Sequence, residues 1–132
     1  VSREPMHPSI TEAQIGDLVD RSYDRIWSDP RLGPIFAARI PDRPAHLAKM
    51  KRFWSSVLLK TGAYRGRPIP AHLPMSAVVE APDFDRWLAL FTDTCVQTFE
   101  PEAVPVVTDI AKRIARTIWS AMHLNAPRPV PF

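Results

Sequence analysis

Apolar residues recur three and four positions apart in four stretches of the chain, and each stretch reads as one face of an amphipathic helix. Ile15, Leu18, Val19, Tyr23 and Ile26 form the first stripe, which runs to about Ser28. Thr11 and Gln14 open it as a capping box, and Asp29-Pro30 closes it, because a residue ahead of proline is pushed out of the helical region. RLGPIF then makes a tight apolar corner. Gly33 and Pro34 turn the chain, Leu32, Ile35 and Phe36 point inward, and residues 37–44 read as a linker. The central helix begins near Pro44, a good first helical position, and carries Leu47, Met50, Trp54, Val57 and Leu58 before stopping at Thr61-Gly62. Another helix opens at Pro82, with Asp83 and Asp85 in a first turn that favours negative charge. Its stripe is Phe84, Trp87, Leu88, Phe91, Thr94, Cys95 and Thr98. The last spans roughly Val104 to Met122 through Val107, Ile110, Ala111, Ile114 and Ile118. No segment alternates convincingly as a strand does, and Met75 to Ala81 is too short to assign. The pattern predicts an all-α chain of four substantial helices: a flexible arm at 1–10, one domain at 11–124 and a proline-rich tail at 125–132.

Composition narrows the function. With 132 residues, 45% of them hydrophobic, one domain can bury a core of ordinary size. No apolar run approaches the length of a membrane-spanning helix, and the opening VSREPMHPSI lacks the apolar centre of a secretory signal. The single cysteine, Cys95, leaves no internal disulfide framework and favours a reducing compartment, so the expected location is the cytoplasm. The formal net charge is +3, but basic residues are dispersed except around Lys49 to Arg67. That distribution argues against a nucleic-acid partner and suits a local basic rim facing a ligand's carboxylates.

Zinc ligands at short spacings, a nucleophilic triad and a phosphate-cradling glycine loop are all missing. What remains is the stretch from His46 to His72. His46 lies one helical row beside the central stripe, in line with Met50, Phe53 and Val57, and His72 sits between Pro70 and Pro74, where no long helix can form. Two neutral imidazoles on opposite walls of an apolar slot are what a planar metal cofactor needs. For haem, the iron takes one axial nitrogen, the macrocycle takes apolar walls from Phe36, Met50, Phe53, Trp54 and the helices after Pro82, and a bound gas takes a polar group beyond the iron. Tyr23 stands out in the apolar stripe of the first helix, since burying its hydroxyl without a partner costs about 1–3 kcal/mol. Core packing and satisfied structural histidines account for the same pattern. So does a cofactor-free interaction domain whose partner motif is the tail Asn125 to Phe132.

The segments SYDRIWSDPRLGPIF, HLAKMKRFWSSVLLKTGAYRGRPIPAHL and FDRWLALF, in this order and spacing, resemble the truncated haemoglobins and specifically their third group. The resemblance covers roughly residues 12–122. The glycine pairs that mark the other two groups are absent. It implies a two-over-two helical sandwich around haem b, Fe-protoporphyrin IX. By the same resemblance His72 is the proximal iron ligand, Phe36 the corner phenylalanine against the haem, and Tyr23, His46 and Trp87 the distal trio that stabilises a small ligand. Lys49 matches a basic position that reaches a haem propionate, and Arg65 or Arg67 is a further candidate for that contact. Met50, Phe53 and Trp54 complete the cofactor-binding set. Ser22 and Arg43 depart from the family pattern, which places aromatics there in some members. The implied function is binding of dioxygen, nitric oxide and carbon monoxide at the iron. Nitric-oxide dioxygenase or peroxidase-like activity in nitrosative or oxidative defence is the chemistry open to such a protein, with an unidentified reductase as partner and a monomer as the expected state. The alternative within the same resemblance is a six-coordinate haem protein in which His46 is the sixth ligand, serving electron transfer or redox sensing.

Overall fold

The computed structural model describes residues 6–61 and 80–125, with side chains to residue 122. Among these residues the chain forms five helices and no strand: α1 (Glu12–Ser28), α2 (Leu32–Arg39), α3 (Arg43–Leu58), α4 (Ala81–Thr98) and α5 (Val104–Asn125). The capping box of α1 is present, with the Gln14 N–H donating to Thr11 Oγ1 at 3.2 Å and the Thr11 N–H donating to Gln14 Oε1 at 3.0 Å. Ile15, Leu18, Val19 and Ile26 are buried along its expected face.

The corner after α1 departs from the sequence expectation, because the turn and linker fold as the helix α2. The Asp29 carboxylate accepts the N–H groups of Arg31 at 3.0 Å and Leu32 at 2.8 Å. It thereby satisfies donors that a helix start leaves without a partner. Pro34 falls in the first turn, where a missing N–H costs nothing. Gly33 answers a different constraint: a Cβ there would run into the backbone carbonyl of Trp27. α3 is capped by Asp42, which accepts the Ala45 N–H at 3.1 Å. At its other end Lys60 takes the left-handed conformation, φ 59°, that the sequence had reserved for a glycine. Gly62 lies outside the described residues.

Helix α1 packs on α2, α3 and α4, and α4 packs on α5. Two helix pairs, α1 with α3 and α4 with α5, therefore join through the α1–α4 contact. The core at that junction includes Ile15 and Leu18 of α1, Trp54 and Leu58 of α3, Phe91 and Cys95 of α4, and Val107 of α5. Each such aliphatic or aromatic side chain stabilises the fold by about 1.5–3 kcal/mol through burial. Upstream of α1, Ile10 enters the same core and the Met6 N–H donates to the Leu58 carbonyl at 2.8 Å. Away from the junction the two pairs stand apart, and the gap between them is a cavity.

Candidate functional site

The cavity has a volume of about 330 Å³, and every described residue that the sequence nominated lines it: Tyr23, Phe36, His46, Lys49, Met50, Phe53, Trp54 and Trp87. His72, Arg65 and Arg67 lie outside the described residues.

Tyr23 reaches the cavity from the inner face of α1 and His46 from the first half of α3. Their side chains meet, with the phenol oxygen 3.1 Å from His46 Nε2. The rings lie edge to face, centroids 5.2 Å apart at 69°. Burial pushes the Tyr23 phenol far above its ordinary value, so it stays a neutral hydroxyl with a proton to donate. Trp27 and Phe36 pack around Tyr23 at 5.8 and 6.1 Å. Arg43 closes the outside of this cluster. Its guanidinium lies 4.6 Å from the Trp27 ring centre and pairs with Asp24 at 2.5 Å, placing a cation over an aromatic face.

On the opposite side Trp87 enters from α4. It is stacked on Phe91 at 5.0 Å and 17°, and Phe91 is stacked in turn on Trp54 at 5.1 Å and 26°. Such a three-ring stack sets the plane of the Trp87 indole. Lys49 lines the cavity with its side chain largely exposed, and so does Arg39. The site therefore has apolar walls, two cations at its rim, and the hydrogen-bonding side chains of Tyr23, His46 and Trp87, with Ser22 and Asp83, among its lining. That chemistry fits a flat apolar ligand with an anionic edge and a small polar guest. Cys95 takes no part, because burial pushes its thiol up to about 12 and leaves no thiolate at neutral pH.

Several lining residues were not singled out in the sequence. Arg39 lay in the supposed linker, and only the helical turn of α2 brings it to the cavity beside Phe36. Ile114, Ile118 and Met122 of α5 follow one another at intervals of four and line the cavity too. The helices after Pro82 are expected among the walls, but the spacing does not say which residues of the stripe face the cavity. Asp83, assigned to the helix start by its charge, is 5% exposed and also borders the cavity.

No family model matches the chain. Its sequence is 31% identical over 119 residues to the group 3 truncated hemoglobin ctb of Campylobacter jejuni, a match covering 87% of this chain and 93% of that protein. The fold superposes on the crystal structure of the group III truncated hemoglobin from Campylobacter jejuni with a TM-score of 0.83 and 27% identity, covering 92% of this chain and 98% of that one.

Proposed function

Since the chain belongs to the group III truncated haemoglobins, we propose that its cavity binds haem b, with His72 as the proximal iron ligand, and that it handles small gaseous ligands. The observation that carries this reading is the meeting of Tyr23 and His46 at 3.1 Å inside an apolar cavity that Trp87 also lines. When bound, haem supplies a redox-active iron at which dioxygen, nitric oxide or carbon monoxide can coordinate.

The remaining work falls to the chain's own side chains. Phe36, Met50, Phe53 and Trp54 wall the macrocycle and exclude water, and Lys49 with Arg39 offers charge to its carboxylates. Tyr23, neutral and half-buried, presents an O–H to the ligand. The Trp87 indole N–H is the second donor, and His46, by pairing with the Tyr23 hydroxyl, controls which way that hydroxyl points. Hydrogen bonds to a partly charged ligand are of the stronger, charge-assisted kind. Two of them give slow dioxygen release, which suits poorly a carrier that must unload. It suits better a protein that keeps dioxygen for reaction with nitric oxide or that reacts with peroxide, reduced between turnovers by a partner. The second reading, six-coordinate haem with His46 as the other axial ligand, draws on the place of His46 in the cavity wall, but its bond to Tyr23 would have to break.

The test is a haemin titration followed by absorption spectra of the ferric, dithionite-reduced and carbon-monoxide forms, for the wild type and His72→Ala. A one-to-one Soret band that weakens or shifts in the variant is expected, with the broad ferrous visible band of five-coordinate haem. Sharp ferrous bands would select the His46-ligated reading, and a wild type without a saturable Soret band would overturn both.

A further inference from the structure

Two ion pairs cross between the α1–α2 corner and the start of α4, and they run in opposite senses. Arg31 in the corner donates Nε and Nη2 to the two carboxylate oxygens of Asp83 on α4, each at 2.8 Å. Arg86 on α4 donates Nε to Asp29 in the corner at 2.5 Å. The carboxylates are buried and the arginines are about half exposed. Each carboxylate is also held by backbone donors, Asp83 by the Glu80 N–H and Asp29 by the N–H groups of Arg31 and Leu32. Fixed acceptors and a two-pronged arginine make this clasp far more rigid than a surface ion pair between two mobile side chains.

The clasp joins the two parts of the pocket. Tyr23 lies on the helix that enters the corner and Phe36 on the helix that leaves it, whereas Trp87 follows Arg86 directly and stands one turn beyond Asp83. A shift of α4 along the corner would move the indole relative to Tyr23 and leave the Trp87–Phe91 stack intact, because both rings ride on α4. The ring stack orients the indole and, through Trp54, ties the middle of α4 to α3, while the clasp fixes the start of α4, where Trp87 lies, against the corner.

We infer that Arg31, Asp83, Asp29 and Arg86 are positioning residues for the pocket: their crossed ion pairs set the register of α4 against the α1–α2 corner and so aim the Trp87 indole N–H at the ligand position that Tyr23 faces. The inference rests on the proposed donor role of Trp87. Its test reads the Trp87 indole ¹⁵N–¹H cross-peak in haem-free and carbon-monoxide-bound protein, the peak being identified by its loss in Trp87→Phe. Asp83→Asn and Arg86→Gln should move that peak in both forms, and Arg31→Lys, which keeps the charge but not the two-pronged geometry, should move it less. Arg31→Lys carries the test if the other variants fail to fold. Dioxygen dissociation should rise about tenfold in Asp83→Asn, the loss expected for one charge-assisted hydrogen bond, and should rise no further when that change is added to Trp87→Phe. A stationary cross-peak with only a lowered Tm would overturn the inference, and so would additive effects in the double variant. Should Trp87→Phe leave dioxygen dissociation unaltered, the donor role fails, and the cross-peak of the haem-free protein still decides whether the clasp positions the ring.

Discussion

At the scale of single residues, the pocket is organised by Tyr23. Its hydroxyl projects from an otherwise apolar helical stripe, and a buried phenol without a partner is costly, so the sequence alone demands that something meet it. That the partner is His46 could not be read from spacing, because the two residues are 23 positions apart on different helices. Tyr23→Phe removes the donor with little change of shape. Dioxygen dissociation, followed by stopped-flow displacement with carbon monoxide, should become about tenfold faster or more, as loss of a hydrogen bond to a charged group costs about 1.5–3 kcal/mol. An unaltered rate would remove Tyr23 from the donor set. Arg43 illustrates the converse. Nothing in the sequence around it says what it touches, but the structure places it over the Trp27 ring and pairs it with Asp24.

At the scale of elements, the long helices were legible and the short one was not. α1, α3, α4 and α5 each bring their own signals: a capping box, a proline in the first turn, an apolar row every three to four residues. α2 has only eight residues, and its apolar content and its Gly-Pro pair are equally those of a turn. Its start depends on Asp29, which is itself held by Arg86 from a distant helix. Gly33 is the weak point of this element. Gly33→Ala keeps helix propensity, indeed improves it, yet drives a methyl group into the Trp27 carbonyl. The clash with rigid backbone should win, lowering stability by about 1–3 kcal/mol as core overpacking does, and a urea titration should show the midpoint falling. A rise in the midpoint would mean that the corner yields more easily than its packing implies.

At the scale of the whole molecule, two helix pairs meet at one packed junction and diverge to leave the cavity, and the crossed Arg–Asp clasp spans the junction. Its electrostatics make a pH prediction. Burial by itself would raise the Asp29 carboxyl, but the Leu32 N–H, the Arg86 guanidinium and the Arg31 N–H together hold it below the usual carboxylate range. The Arg31 guanidinium, aided by the Glu80 N–H and opposed by burial, does the same for Asp83. A carboxylate held low when folded binds fewer protons than it does unfolded. Its contribution is therefore complete above about pH 5, where an unfolded aspartate is almost fully ionised, and is lost as pH falls through about 4 towards the folded-state value. The gap in urea midpoint between wild type and Asp83→Asn should accordingly be wide at pH 6 and should narrow towards pH 3. A gap that stays constant would show that the pair contributes by shape and not by charge. The amino-acid sequence by itself determined the helical class, most helix ends and the polar residues able to serve a pocket, because periodicity, caps and prolines act within a few residues along the chain. Only the tertiary structure decided that the corner is a helix, that Asp29 and Asp83 are clasped from across the junction, and which residues of the α5 stripe face the cavity. Those outcomes depend on what lies opposite each helical face, and spacing along one helix carries no record of its neighbour.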